Sequence, residues 1–392
     1  MTILVISSWH AAFDGRIFYK QCKTLANIGD VHLLTPGPKQ KVYGMDGGSF
    51  SPGCYDKVNC YPLKTLAKRT GIIVKILRKI EQIFGFETLR IYKQSLAYIK
   101  KKSLKVDIIH VHEPELISIA HRIAQKHKAK LIYDAHEMHI AYPIDRYKFW
   151  GPLISALIFC RDRKQMPKCD AIIAVNEIIR SYHLPLNPEA KCIIIENSSI
   201  ISEIPPIQSH SKLRLIHEGA LSFSRGLKTM VELFKDPEIQ EKYELHYVGK
   251  MGIREKKYLN QQPESVRACF VDKGWVQLSE LPKVLHGEIG LILMEPKMNN
   301  ILAGPPNKLY NYLAMGIPVL SVDLPASRMI IERFDTGEIC LRDPKSIKAK
   351  LLHITKNIDH YRENCNVAHR HVIWSQDSRR LVDLYNDLLT QN

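Results

Sequence analysis

Asp107-Ile-Ile-His-Val-His-Glu-Pro114 sets a short, mostly β-branched run, residues 108–111, between a carboxylate and a Glu-Pro turn. Such a run is too short for a helix and reads as a buried parallel strand. The same signature recurs upstream at residues 3–6 and 31–34 and downstream at 131–133, 171–175 and 193–195. Segments with helical spacing lie between these runs, at 16–26 and 116–125. Strands alternating with helices predict βαβ units and a parallel sheet.

A Pro/Ser-rich stretch at 202–212 breaks this pattern and reads as a linker. A second strand–helix series follows it, with runs at 213–217, 245–248, 269–271, 289–293, 318–322 and 338–341. The expected fold class is therefore α/β, with two doubly wound Rossmann-like domains over 1–204 and 205–392 that face each other across a cleft. The last helix is a candidate for crossing back to the first domain. Ligands of such sheets sit beyond the carboxyl ends of the strands, which makes the interdomain cleft the expected site.

The chain has 392 residues, 45% of them hydrophobic, enough for two domains with real cores. Its net charge of +16 points to anionic partners rather than to a fold. Nine cysteines, with no Cys-x-x-Cys pair, suit reduced thiols in the cytoplasm better than a disulfide framework or a zinc site. The first residues lack the charged start and long apolar run of a signal peptide, and no transmembrane helix is expected.

Twelve of the Lys and Arg residues fall between Lys64 and Lys105, against only Glu81 and Glu87. Within this insert Ile72, Ile73, Ile76, Leu77, Ile80, Ile83 and Phe84 repeat at helical spacing, while Lys75, Arg78 and Lys79 fall on other faces. This is a basic amphipathic helix. One reading lays it on anionic lipid, placing the protein peripherally on the inner face of the cell membrane. The other makes it a core-packing helix with a solvated basic back.

Several chemistries lack their residues. No Gly-x-Gly-x-x-Gly follows the first strand, where Ser7-Ser-Trp-His10 stands instead, so a dinucleotide has no bare backbone to approach. No P-loop and no Gly-x-Ser-x-Gly elbow occurs. His136-Glu-Met-His139 has the wrong spacing for two metal ligands one helical turn apart, and no Asp-x-Asp is present to hold a metal on a diphosphate. No metal and no cofactor is expected. No nucleic acid is expected either, because no zinc finger, RRM signature or helix-turn-helix frame accompanies the basic stretch.

The opening stretch resembles the Asp-x-x-His-x-His-x-Pro element of family-4 retaining glycosyltransferases, which have the GT-B fold. Other matches follow in the family's order. Ser7-Ser-Trp-His10, Asp14-Gly-Arg16 and Gly29-Asp-Val31 resemble its first βαβ unit, and Tyr133-Asp-Ala-His-Glu137 its next strand end. Glu196-Asn-Ser198 resembles the turn that closes the first domain. His217-Glu-Gly219 with Arg225-Gly-Leu227 resembles the donor-phosphate loop, and Pro306-Asn-Lys-Leu-Tyr-Asn-Tyr-Leu-Ala-Met-Gly-Ile-Pro-Val319 the donor-binding helix.

The resemblance implies a transferase that takes a sugar from a nucleotide diphosphate sugar. It puts the donor on Gly219, Arg225, Gly304, Lys308 and Asn311. It makes His112, Arg225 and Lys308 the catalytic set, and gives an acceptor to Asp14, Arg16, His136 and Glu137. Elementary chemistry agrees on Arg225 and Lys308. A departing diphosphate gathers negative charge, and cations at a helix start can stabilise it. For Lys308 the plainer reading is a solvated helix-start lysine. For His112 it is a hydrogen-bonded structural histidine. Asp14 could equally be an N-cap, and the His136-Glu137 pair could simply end a strand.

The sequence also departs from the family. Two glutamates eight positions apart are usual in the donor region, and here Ala303 and Asn311 stand in their places. Ala220 replaces the usual basic residue after Gly219, and Arg225 replaces a lysine. The expectation is a retaining, metal-independent glycosyltransferase of surface polysaccharide or glycoconjugate biosynthesis with a lipid-linked saccharide acceptor. The alternatives are a nucleotide-sugar epimerase of the same fold and a non-catalytic basic surface-binding relative.

Overall fold

The computed structural model describes residues 1–37, 40–45, 47–64, 86–204 and 211–390. The apolar helix expected over 72–84, and with it residues 65–85 of the basic insert, lies outside the described residues, as does the middle of the 202–212 stretch. The chain divides into two compact units, one formed by Met1–Glu196 with Asp377–Asn392, the other by Asn197–Gln376.

The first unit is built on β1 (Thr2–Ile6), β2 (Asp30–Pro36), β3 (Val42–Tyr43), β4 (Ser49–Phe50), β5 (Gly53–Tyr55), β6 (Val58–Leu63), β7 (Ile108–Val111), β8 (Lys130–Ala135), β9 (Ala171–Ala174) and β10 (Lys191–Ile194). Eight of these form one sheet in the order β10-β9-β8-β7-β1-β2-β6-β5, while β3 and β4 pair by themselves. All neighbours in the sheet are parallel except the β5–β6 edge. The central strands β1, β7 and β9 are buried almost throughout, which is why they read as unbroken apolar runs. The chain leaves β1 toward β2 on one side and later enters β7 on the other. The sheet's topological switch point therefore lies between the carboxyl ends of β1 and β7.

The second unit contains β11 (Leu213–Glu218), β12 (Tyr243–Val248), β13 (Phe270–Asp272), β14 (Ile289–Ile292), β15 (Val319–Val322) and β16 (Gly337–Cys340). Its sheet runs β13-β12-β11-β14-β15-β16 and is parallel throughout. Here the switch point falls between β11 and β14. The core gathers Leu, Ile and Val from both faces with the buried rings of Tyr243, Tyr310 and Tyr312.

The division falls after Glu196 rather than after residue 204. Ser199 explains the shift. Its hydroxyl donates to Asn311 Oδ1 at 2.7 Å, and its backbone N–H and C=O bond to Val372 and Trp374. At the other end, the helix Trp374–Thr390 returns the chain to the first unit from Asp377 onward, where Tyr385 is fully buried. None of the nine cysteines is in a disulfide. Among the described residues no helix is long and apolar enough to cross a membrane.

Candidate functional site

Each unit gathers polar groups at its own switch point. In the first unit the centre is Asp134, fully buried near the end of β8. Arg16 grips it with a two-pronged contact, Nε to Oδ2 and Nη2 to Oδ1, both 2.8 Å. Gln21 Nε2 adds a third donor at 2.8 Å. Local backbone makes this possible. The segment Ile17–Cys22 is a π-helical turn, wider than α, in which Gln21 N bonds to Arg16 O at 3.0 Å. Residues five apart thereby come onto one side, and both reach the same carboxylate. Burial alone would raise the Asp134 pKa, but the Arg16 charge and these donors hold it well below the usual carboxylate range.

His112 Nδ1 lies 3.2 Å from Asp134 Oδ2, and its ring stacks on that of His110, centroids 4.6 Å apart. The two-residue offset along β7 thus puts both histidines on one face. His110 Nδ1 meets the Tyr385 hydroxyl at 2.7 Å. Burial pushes the His110 pKa far down, so the ring is neutral. The Nε2 atoms of His110 and His112 are buried without a hydrogen-bond partner among the described residues.

Glu113, the next residue, ties β7 to β1. It accepts from Ser7 Oγ at 2.7 Å and from the N–H groups of Ser8 and Trp9. Beside it stand His10 and His136, with Nε2 atoms 3.3 Å apart. The proton positions follow from their other contacts. His136 Nδ1 faces the Asp134 carbonyl, an acceptor only, at 3.2 Å, so it carries the hydrogen and leaves Nε2 as acceptor. His10 must then donate through Nε2, while its Nδ1 faces Asp14 Oδ2 at 3.5 Å. His10 is therefore an imidazolium. Burial lowers its pKa, but the Asp14 hydrogen bond and the charges of Asp14, Glu113 and Glu137 outweigh that and raise it to about 9. Burial pushes His136 the other way, to about 3, with its cationic neighbours His10 and Arg16 adding to the shift.

The residues expected to hold an acceptor are sorted by this geometry. Asp14, Arg16 and His136 converge on one cluster, while Glu137 is exposed at its edge. Arg16 is corrected. It is buried, and besides Asp134 it bonds the carbonyls of Ile195 and Glu196, so its fork is engaged within the protein. Asp14 is an N-cap, its Oδ1 accepting from the N–H groups of Arg16 and Ile17, and it also clamps His10.

His110, His112 and Asp134 bring ligand-type atoms within 4.8 Å of one another. Both Asp134 oxygens already accept N–H groups, and the Arg16 charge sits against them. A cation there would meet a charge of its own sign, so the residues do not fit one.

In the second unit Lys308 lies in the first turn of the helix Asn307–Ala314 and is only 5% exposed. Its Nζ lies 3.5 Å from His217 Nε2. No carboxylate comes within ion-pair distance of it among the described residues. Burial drives its pKa down to about 7, the nearby Arg225 charge adds to the drop, and Glu218 partly opposes it. Burial and Lys308 keep His217 neutral.

Arg225 reaches this place through a glycine turn. Gly219 adopts φ +88°, and a Cβ there would stand 2.8 Å from Arg225 Nη1. Gly226, at φ +99°, opens the next helix, where a Cβ would stand 2.6 Å from the Leu293 carbonyl. Leu293 directly follows β14, so the loop after β11 closes against the end of β14 at the switch point. Gly304 lies in the loop just before Pro305 and Pro306. Asn311 is corrected, because its amide is already occupied. Nδ2 donates to Glu218 Oε1 and Oε2 at 2.9 and 3.1 Å, and Oδ1 accepts from Ser199. It positions Glu218.

His10, Glu113, Asp134, His217 and Glu218 were not among the expected site residues. All five sit inside stretches already singled out, but no spacing rule ranks them. Their partners lie about a hundred residues away in sequence, so their roles emerge only in the fold.

The family model for Glycosyltransferase Family 4 matches residues 19–198. No curated protein matches the chain by sequence. Solved structures match along its whole length. Sucrose-phosphate synthase from Thermosynechococcus elongatus is 12% identical, covers 100% of both chains and gives a TM-score of 0.72. The Anabaena protein HepE in complex with UDP is 10% identical over 99% of this chain and 100% of its own, with a TM-score of 0.67. The catalytic domain of starch synthase IV from Arabidopsis thaliana, bound to ADP and acarbose, is 10% identical over 100% of this chain and 99% of its own, at 0.64. The two doubly wound units have the GT-B fold of these structures, and residues 19–198 match the Glycosyltransferase Family 4 model.

Proposed function

We propose that the protein is a retaining glycosyltransferase that uses a nucleotide diphosphate sugar and delivers the sugar to a saccharide acceptor carried on a lipid at the inner face of the membrane. One observation carries the donor half. Lys308 is buried near the Arg225 charge with no carboxylate within ion-pair distance among the described residues, an arrangement that is costly until an anion arrives. The bare backbone of Gly219 and the start of the helix Asn307–Ala314 complete a place for a diphosphate. Binding of UDP by HepE and of ADP by starch synthase IV supports the ligand class and leaves the base open.

In this reading the bond from the anomeric carbon to the leaving phosphate oxygen breaks as Arg225 and Lys308 take up the growing charge. The acceptor oxygen bonds to the same face of that carbon, and its proton goes to the departing phosphate, so no protein nucleophile is needed. His112 offers its unpartnered Nε2 to a hydroxyl of the transferred sugar. Asp134, itself fixed by Arg16 and Gln21, orients that ring. The acceptor belongs to the first unit, around His10, Asp14 and His136, and the excess of basic residues suits a membrane that carries it.

Calorimetry on the full chain tests this. UDP or GDP binds the wild type, and Arg225→Ala and Lys308→Ala each weaken binding by roughly tenfold or more. Near pH 8 the wild type also takes up a proton, seen as a dependence of the heat on buffer ionisation, because the phosphate recharges Lys308. Unchanged affinity in both variants places the donor elsewhere. Release of free nucleotide diphosphate together with a glycosylated acceptor completes the case, and an isomerised donor without release overturns it.

A further inference from the structure

In the first unit the helix Gly151–Gln165 is built inside out. Its buried positions are Gly151, Ser155 and Asp162, all small or polar. Large apolar side chains point to solvent, with Phe149 84%, Trp150 67%, Leu157 63% and Leu153 53% exposed. Leu153 and Leu157 are one turn apart and form a stripe that continues the Phe149-Trp150 corner. Contiguous exposed apolar surface of this kind marks an interaction site.

The surface is held in place. Gly151 packs so closely on the preceding short helix, Tyr142–Arg146, that a Cβ would stand 2.7 Å from the Pro143 carbonyl. Ser155 Oγ donates to the Ile140 carbonyl at 2.7 Å, and Asp162 is buried between Arg161 and Tyr182. The inward face is thus specified by hydrogen bonds, and the outward face is apolar without any packing demand from the unit itself.

Cations flank the stripe. Arg146 lies over the rings of Tyr142 and Tyr147, Lys148 over Phe149, and Arg163 and Lys164 are exposed at the far end of the helix. Aromatic rings that keep an amphipathic edge, next to Lys and Arg, are the composition of a membrane–water interface.

We infer that the surface from Tyr142 to Lys164 docks on an anionic lipid bilayer, with Phe149, Trp150, Leu153 and Leu157 entering the headgroup–acyl boundary and Arg146, Lys148, Arg163 and Lys164 facing lipid phosphates. This surface is separate in sequence from the basic insert over 64–105. It rests on the proposed function only in the choice of a membrane as partner.

Trp150 provides the readout. Mixing the full chain with phosphatidylcholine/phosphatidylglycerol vesicles shifts tryptophan emission to the blue, phosphatidylcholine alone does not, and Trp150→Phe abolishes the shift. A Phe149→Ser, Leu153→Ser, Leu157→Ser triple variant sediments with anionic vesicles roughly tenfold less or weaker still, at unchanged thermal stability. Nucleotide-induced stabilisation, read on the same samples, reports the second unit and stays as in the wild type, so failure here and failure of the transferase reading are distinct results. Retained vesicle binding in the triple variant, or equal binding to neutral vesicles, overturns the inference. So does a self-associated state that the variant dissolves while vesicles have no effect.

Discussion

At the scale of single residues, the paired histidines give the protein a pH signature with two limbs. His10 has a folded pKa of about 9 against 6.5 when free, so its contribution to stability is complete below 6.5 and disappears as pH rises through 9. His136 is the mirror case. Its folded pKa of about 3 means that the unfolded chain binds the extra proton, and stability falls as pH drops below 6.5. The melting temperature is therefore expected to peak near neutrality. His10→Gln should flatten the alkaline limb between 6.5 and 9 and leave the acid limb in place, and an unchanged alkaline limb refutes the imidazolium assignment. Arg225 and Lys308 stand out in the sequence because chemistry restricts which residues can meet a phosphate, and His112 stands out only through the motif it belongs to. Arg16 and Asn311 were drawn to ligands for the same reason, yet the fold occupies them with its own carboxylates, Asp134 and Glu218. A side chain's type announces its chemistry, and only packing decides who uses it.

At the scale of elements, most of the parallel strands could be read directly, because burial on both faces forces an apolar, β-branched run. Residues 42–63 escaped that reading. Their strands are two to six residues long, and β4 is exposed, so no run forms. The π-helical turn over Ile17–Cys22 escaped too, since its residues satisfy an ordinary helical period. The loop from Gly219 to Gly226 carries the element-scale prediction. Gly226→Ala forces a Cβ into the left-handed region and against the Leu293 carbonyl, at a cost of about 1–3 kcal/mol. Chemical denaturation should show that loss, and nucleotide affinity should fall with it as Arg225 is displaced. A fully stable Gly226→Ala variant would mean that this turn has room to spare.

At the scale of the whole molecule, the chain starts in the first unit, builds the second and ends in the first again. The buried hydrogen bond from Tyr385 to His110 is the most specific contact of that return. Tyr385→Phe leaves both His110 nitrogens without a partner, and the expected penalty is about 1–3 kcal/mol, measured as a lower midpoint for the unfolding of the first unit. An unaltered midpoint would show that the helix is held by apolar packing alone.

The same closing helix constrains how the protein comes into being. Domains generally fold in the order in which they leave the ribosome. Here the opening sheet has to wait, because the piece that caps His110 is translated only after the second unit. The interior unit can settle first, and a nascent chain halted before Asp377 is expected to be clipped by protease within 1–196 while its middle portion resists.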